Sequence, residues 1–507
     1  MNKNRLTLII LLFYAISTIF TACSDINRSG PMPNIILIYF DDLGYGDLSV
    51  YGASEISTPN IDRLTQGGIM FTDAHSSSAT CTPSRYALLT GEYPWRNERA
   101  RVLSGTAPLL IDTAQLTLPR ILREKGYYTG IVGKWHLGLG SGNVDWNRHI
   151  SPGPNEVGFD YSFILAATQD RVPTVYIENG NVVQLDPGDP IEVSYQENFP
   201  GEPTGLESPE MLKMMWDHGH NNSIVNGIPR IGFMKGGKAA RWVDENMADT
   251  FLVKARNYIK DHRDEPFFLY YALQQPHVPR TPHERFVGET TMGPRGDVIV
   301  EADWCIGQLM NTLEEERLLE NTFIILSSDN GPVLNDGYID YAVEKVGDHT
   351  PSGPFRGGKY SLFEAGTRVP FVTYWNGRIE PGISDVLVSQ IDIMSSLASL
   401  AGNDRRGPDS HDMMNLFLGS DTAGRKELIL EAGGRTALRK GNWVLIPPYP
   451  GPAIARNVDI ELGNSYNYQL YNLTEDPGQQ NNLADTRPEE LKEMLVEYQS
   501  IINVRLE

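Results

Sequence analysis

Four short apolar runs each stop in a cluster of polar residues, and few folds accommodate that pattern. Residues 34–40 end in Asp41-Asp42, and 128–132 end in Gly133-Lys134-Trp135-His136. Residues 267–272 end in Gln274-Gln275-Pro276-His277, and 323–326 end in Ser327-Ser328-Asp329-Asn330-Gly331. Continuous apolar runs of this length read as strands buried on both faces, the habit of parallel sheets. Helical stretches lie between them, at 117–125 and 298–317. The alternation predicts an α/β fold: a large mixed, mostly parallel sheet flanked by helices. In such sheets ligands bind beyond the carboxyl ends of the strands, where these acids, the lysine and the histidines stand. From about residue 420 the character changes to short strands at 436–446 and 469–473 and an amphipathic helix at 487–502. We therefore divide the chain into a catalytic domain over 34–420 and a smaller C-terminal α+β domain over 421–507.

The N-terminus reads differently. Lys3 and Arg5 precede an apolar stretch from Leu6 to Phe20, and small residues lead to Cys23. That is the grammar of a signal peptide over 1–22. Its apolar run of about 15 residues is shorter than the roughly 20 that a spanning helix needs. Cys23 closes a segment similar to a bacterial lipobox, which implies lipid on Cys23 and a tether over 23–33. The expected location is exported: a periplasmic or cell-surface lipoprotein of a Gram-negative bacterium, touching membrane only through that anchor. Cys81 and Cys305 are the other two cysteines, so no disulfide framework is expected. Cys305 lies in an apolar helical stretch and should be buried and inert.

With 43 Lys and Arg against 64 Asp and Glu, the net charge is −21. Broad nucleic-acid binding is excluded, because it needs a positive face. An anionic substrate would require local cations or a metal to reverse the field.

Cys81-Thr82-Pro83-Ser84-Arg85 followed by Leu89-Thr90-Gly91 resembles the sulfatase signature. The stretch from Gly126 to Gly138, with Gly133-Lys134-Trp135-His136-Leu137-Gly138, is similar to that family's second signature. Asp41-Asp42, Asp329-Asn330-Gly331 and Gly357-Gly358-Lys359 match further motifs in the expected order. The chain thus resembles formylglycine-dependent type I sulfatases of the alkaline-phosphatase superfamily, in the branch of bacterial glycan sulfatases. The resemblance implies that Cys81 is oxidised to formylglycine by a maturating enzyme, and that its hydrated aldehyde attacks sulfur. It further implies that Arg85 braces that residue and that His136 is the base that triggers sulfate expulsion. Proton donation to the leaving oxygen falls to His277 with Lys359. Asp41, Asp42, Asp329 and Asn330, with position 81, are the implied metal ligands. Their hard oxygens suit calcium, with magnesium as the alternative.

Three carboxylates against a dication leave a negative balance before the ester adds its own charge. Lys134, Lys359 and Arg85 can supply the missing cations. Lys134, His277 and Lys359 are thus substrate-binding candidates as well as catalytic ones, and Thr168 is a further substrate-binding candidate. His218 and His220, spaced by two, suit a substrate loop better than helical metal ligation. Asp170-Arg171, Asp340, Asp348, His349 and Arg356 are sugar-recognition candidates. Trp216, Arg230 and Trp242 fall in a long insert that could grip a sugar ring. The expected activity is hydrolysis of sulfate esters on a glycan of galactose or N-acetylgalactosamine, with the 4-O-sulfate placed first. Two alternatives stand beside it: a formylglycine-dependent phosphonate or phosphodiester hydrolase, and a silent lipoprotein that binds sulfated glycans.

Overall fold

The computed structural model describes residues 32–504. The signal peptide, Cys23 and nearly all of the tether lie outside these residues. Ten strands form one sheet: β1 (Asn34–Asp41), β2 (Gly68–Phe71), β3 (Tyr128–Lys134), β4 (Tyr161–Leu165), β5 (Tyr176–Glu178), β6 (Asn181–Val182), β7 (Phe267–Pro276), β8 (Thr322–Ser328), β9 (Phe371–Tyr374) and β10 (Gly382–Ser384). Their order is β10-β2-β9-β8-β1-β7-β3-β4-β5-β6. The five central strands, β8-β1-β7-β3-β4, are all mutually parallel. Antiparallel pairs flank them on both sides, so the sheet is mixed and mostly parallel as expected.

Strand β1 shows why its sequence is unbroken by polar residues. Side chains alternate between the two faces of a sheet. Ile35, Leu37 and Tyr39 enter one apolar layer, and Ile36, Ile38 and Phe40 enter the other. All six are fully buried. Helix α1 (Cys81–Thr90) and helix α2 (Leu118–Glu124) cover the first face, α2 through Leu118, Ile121 and Leu122. Helices α3 (Met247–Asp261) and α4 (Pro294–Glu315) cover the second, through Phe251, Tyr258, Ile299 and Ile306 among others.

The C-terminal region is an antiparallel sheet of β11 (Glu427–Ala432), β12 (Arg435–Lys440), β13 (Trp443–Ile446) and β14 (Gln469–Asn472), joined by helix α5 (Pro488–Ile502). The stretch read from sequence as strand over 436–446 is a hairpin that turns at Gly441-Asn442. This sheet shares its apolar core with Ala79, Ala87 and Ile391 of the larger region, so it packs against the segment that carries α1. Among the described residues no helix is long and apolar enough to cross a membrane.

Candidate active site

Parallel register delivers the polar clusters to one edge. Asp41 ends β1, Lys134 ends β3, His277 follows β7, and Asp329 and Asn330 follow β8. The approach is close enough to dictate a glycine. Gly133 has φ +121°, and a Cβ there would lie 1.8 Å from the Ala272 carbonyl oxygen. Non-glycine residues also take the left-handed region here: Asp42 (φ 65°), His136 (φ 54°) and Tyr360 (φ 75°). Such strain collects where packing over-determines a functional geometry.

The acids form a buried knot with three cations. Lys134 Nζ donates to Asp41 Oδ2 at 2.5 Å, and Lys359 Nζ donates to Asp42 Oδ2 at 2.9 Å. Arg85 Nε donates to Asp329 Oδ2 at 2.9 Å and its Nη1 to the Lys134 carbonyl at 3.2 Å. Arg85 therefore fixes an acid and the end of β3. Two acceptor oxygens in the knot have no hydrogen-bond partner among the described residues: Asp41 Oδ1 and Asn330 Oδ1. Orphaned buried acceptors are costly, and a divalent cation would satisfy both. Asp41, Asp42 and His277 each offer a ligand atom, all within 4.8 Å of one another. The donor set therefore fits a hard divalent cation.

Electrostatics within the knot are uneven. Burial pushes the Asp329 carboxyl up to about 6, helped by Asp41. Asp42 is exposed to the same burial, but Lys359 and His277 hold it well below the usual carboxylate range.

Cys81 opens α1, which is buried along its whole length. Its Sγ lies 3.2 Å from His136 Nδ1, while His136 Nε2 faces the Leu103 carbonyl at 2.9 Å. The carbonyl can only accept, so Nε2 carries the hydrogen and Nδ1 presents its lone pair to position 81. Burial, then Lys134, keeps His136 neutral by lowering it well below its ordinary value. Burial also pushes the Cys81 thiol up, so an unmodified thiol is a poor nucleophile here. His277 is set the other way round. Its Nδ1 faces the Val278 carbonyl at 2.6 Å, and its Nε2 lies 3.9 Å from Asp42 Oδ2. Burial and then Lys359 lower it to about 4. At neutral pH its Nε2 therefore holds a lone pair, whereas Lys359 is held protonated, its pKa pushed well up chiefly by Asp336 and Asp42 against the burial that opposes charge.

Above Cys81 opens a pocket of about 250 Å³. His277 and Lys359 line it, together with Asp170, Arg171, His218 and His220. Four further lining residues were not singled out from the sequence: Val102, Ile231, Asp336 and Tyr360. They come from loops without periodicity; only the turn composition of Asn335-Asp336-Gly337 set any of them apart. His220 is tied down rather than poised for metal: Nε2 meets Asp170 Oδ2 at 2.9 Å and Nδ1 meets the His218 carbonyl at 2.8 Å. Thr168 sits behind the pocket wall, where its hydroxyl bonds Asp170 and accepts from Arg171 Nη1 at 2.6 Å.

Several sugar-recognition candidates serve structure instead. Arg230 is fully buried against Asp244 at 2.7 Å, and Trp242 packs on Tyr176. His349 bonds Asp47 at 2.9 Å, Asp340 pairs with Arg280 at 2.8 Å, and Arg356 pairs with Glu461 at 2.6 Å. Asp348 is exposed and Trp216 half-buried; neither lines this pocket. Arg230, Asp340, His349 and Arg356 lie on loops near the site in sequence, but their charges are already matched by partners inside the fold.

Comparison with known proteins agrees with the geometry. The sulfatase family model matches residues 33–403. An N-acetylgalactosamine-6-O-sulfatase of Bacteroides thetaiotaomicron is 50% identical over 475 residues, covering 93% of each chain. Human arylsulfatase A is 30% identical over 91% of this chain and 86% of its own. A solved Bacteroides thetaiotaomicron structure, described under the metabolism of multiple glycosaminoglycans, superimposes with TM-score 0.92 at 50% identity. It covers 93% of this chain and 99% of its own.

Proposed function

The chain belongs to the sulfatase family and is a sulfuric ester hydrolase; from that premise we propose that it removes the 6-O-sulfate from a terminal N-acetylgalactosamine of a glycan. The observation that carries this reading is the pocket over Cys81, small and walled by Asp170, Arg171, His218 and His220. Ligand pockets usually run from about 300 to 1,000 Å³, so one smaller than that suits a single terminal sugar better than an internal stretch of chain. The position of the sulfate follows the relative at 50% identity, which is named for the 6-O-sulfate. That likeness displaces the 4-O-sulfate expected from sequence. The names of the relatives likewise favour sulfate over phosphonate esters.

In this reading Cys81 is oxidised to formylglycine by a maturating enzyme, and the modified residue supplies the hydroxyl nucleophile. Asp41, Asp42, Asp329 and Asn330 would hold a divalent cation, calcium first and magnesium second, which would offset charge on the sulfate. Lys134 and Lys359 bind sulfate oxygens. His136 Nδ1, with its lone pair aimed at position 81, takes the proton from that side chain. Lys359, which stands protonated, gives a proton to the leaving sugar oxygen. His277 lines the pocket beside the ester as a neutral ring. Export and lipidation of Cys23 are part of the same proposal, since a tethered enzyme suits a large extracellular glycan.

The test is release of inorganic sulfate by enzyme produced together with a maturase. The panel is the 6-O- and 4-O-sulfates of N-acetylgalactosamine, galactose 6-sulfate and N-acetylglucosamine 6-sulfate. Fastest release from N-acetylgalactosamine 6-sulfate is expected. Preference for a 4-O-sulfate would overturn the position, and activity on phosphonate esters alone would overturn the class.

A further inference from the structure

We propose that Asp336 is a specificity-determining residue: its carboxylate accepts a hydrogen bond from the sugar hydroxyl nearest the sulfate, the axial 4-hydroxyl of a galacto-configured ring. The inference rests on the reading of the substrate given above.

Two carboxylates line the pocket outside the cation knot, Asp170 and Asp336. Their hydrogen bonds differ. Asp170 is satisfied by the protein: Oδ1 takes the Thr168 hydroxyl and Arg171 Nη1, and Oδ2 takes His220 and Arg171 Nη1. Asp336 is not. Its Oδ2 accepts from Lys359 Nζ at 2.8 Å, but the contact to Oδ1 is the Tyr360 hydroxyl at 3.4 Å. That is long for a bond between oxygens, whose usual separation is about 2.7–2.8 Å. An ionised carboxylate has about four lone-pair sites and no donor. Asp336 therefore keeps acceptor capacity inside a pocket, on a residue only 9% exposed.

Charge makes that capacity informative. A pocket for an anionic ester gains nothing from a bare carboxylate, which repels the ligand. The carboxylate is useful to the ligand only where the ligand presents a donor, and the donors of a neutral sugar ring are chiefly its hydroxyls. Lys359 fixes which one. Its Nζ lies between Asp42 Oδ2 at 2.9 Å and Asp336 Oδ2 at 2.8 Å. A sulfate ester held on Lys359 places its bridging oxygen beside Asp336. In a 6-O-sulfate the carbon next to the sulfated one carries no hydroxyl, and the nearest is on C4. The axial and equatorial 4-hydroxyls are both gauche to C6 but leave the ring in different directions, so a carboxylate fixed on Lys359 to meet the axial hydroxyl misses the equatorial one of the gluco epimer. Removing a partner from a hydrogen bond to a charged group costs about 10- to 100-fold in an equilibrium or rate ratio.

The experiment compares matured wild type with Asp336→Asn on three substrates: N-acetylgalactosamine 6-sulfate, its C4 epimer N-acetylglucosamine 6-sulfate, and 4-nitrophenyl sulfate. Wild type should prefer the galacto sugar by 10-fold or more in kcat/KM. Asp336→Asn should lose about 10- to 100-fold on that sugar and little on the epimer, so the preference narrows to within about threefold. The aryl ester, which has no hydroxyl to offer, should fall much less than the galacto sugar. An unchanged galacto-to-gluco ratio in the variant would sink the proposal. So would an equal fall on the two sugars, whether or not the aryl ester falls with them, which would leave Asp336 as a positioning residue for Lys359 alone. The wild-type preference needs no variant, and its absence is equally damaging. Turnover of neither 6-O-sulfate, with the aryl ester still cleaved, would bring down the substrate reading and this inference together.

Discussion

At the scale of single residues, the two histidines of the site face opposite ways, and the carbonyl behind each ring decides which. Leu103 takes the Nε2 hydrogen of His136, and Val278 takes the Nδ1 hydrogen of His277. Neither neutral ring then has a hydrogen to give toward the reacting centre, which, on the mechanism proposed above, leaves Lys359 as the donor to the leaving oxygen. A general acid contributes roughly a hundred- to ten-thousand-fold, and more for a basic alcohol than for a nitrophenolate that leaves unaided. Lys359→Ala should therefore lose far more on a sulfated sugar than on 4-nitrophenyl sulfate, whereas His277→Ala should slow the two more evenly. Steady-state rates on both substrates settle it. The reverse pattern would return the acid role to His277, where sequence reasoning placed it jointly with Lys359.

At the scale of elements, two buried charged groups carry the argument. Arg439 on β12 crosses to the larger sheet region, where Nη2 meets Asp73 at 2.9 Å and Nε lies 3.5 Å from Glu364. Arg368 pairs with the same two acids, at 3.3 and 3.0 Å. Asp73, His75 and Glu364 lie close enough to suggest a metal, but two arginines already balance two carboxylates there, so the cluster serves as a clasp. Breaking one side of a buried pair typically costs about 3–5 kcal/mol. Arg439→Ala should lower the melting temperature by several degrees; a shift within one degree would show the clasp to be idle. Glu301 on α4 is the second case. It accepts from the His283 amide at 3.0 Å and Gln275 Nε2 at 3.3 Å, and burial raises it to about 7. Its folded value exceeds the roughly 4.3 of an unfolded chain. The stabilisation is thus full below about pH 4 and is lost as pH rises through about 7. Glu301→Gln keeps the neutral shape, so it should gain on wild type in melting temperature at pH 8.5 and match it near pH 4. Parallel curves across that range would refute the shift. These elements also mark what could be read in advance. Strand ends are legible because an apolar run must stop where polar residues begin, which found Asp41, Asp42, Lys134, His136, His277, Asp329 and Asn330. Motif spacing added Cys81, Arg85 and Lys359. The pocket wall was half legible: Asp170, Arg171, His218 and His220 stood out as charged loop residues, but so did Arg230 and His349. Only their partners, Asp244 and Asp47, reveal that the latter two are spoken for.

At the scale of the whole molecule, a chain of net charge −21 gathers buried acids at one sheet edge and is expected to bind an anion there. Lys134, Lys359 and Arg85 stand against Asp41, Asp42, Asp329 and Asp336, which shares Lys359, a balance of −1 that leaves nothing over for a sulfate ester. A divalent cation would change that balance to +1 and satisfy the orphaned oxygens of Asp41 and Asn330 as well. Binding to the folded chain alone also stabilises it by mass action, about 2.7 kcal/mol at a hundred times the dissociation constant. A large domain shifts by only about 2–4 °C per kcal/mol or less, so exhaustive chelation should lower the melting temperature by a few degrees and abolish sulfate release. Calcium should restore both, and magnesium should do so less completely. The two readouts guard each other, since lost activity without a thermal shift would point to the chelator inhibiting turnover directly. Full activity, an unmoved melting curve and no divalent metal by elemental analysis after chelation would remove the cation from the site. The anion would then have to be held by Lys134 and Lys359 with at least one of the three acids protonated, and Asp329, already raised to about 6, is the one closest to that state.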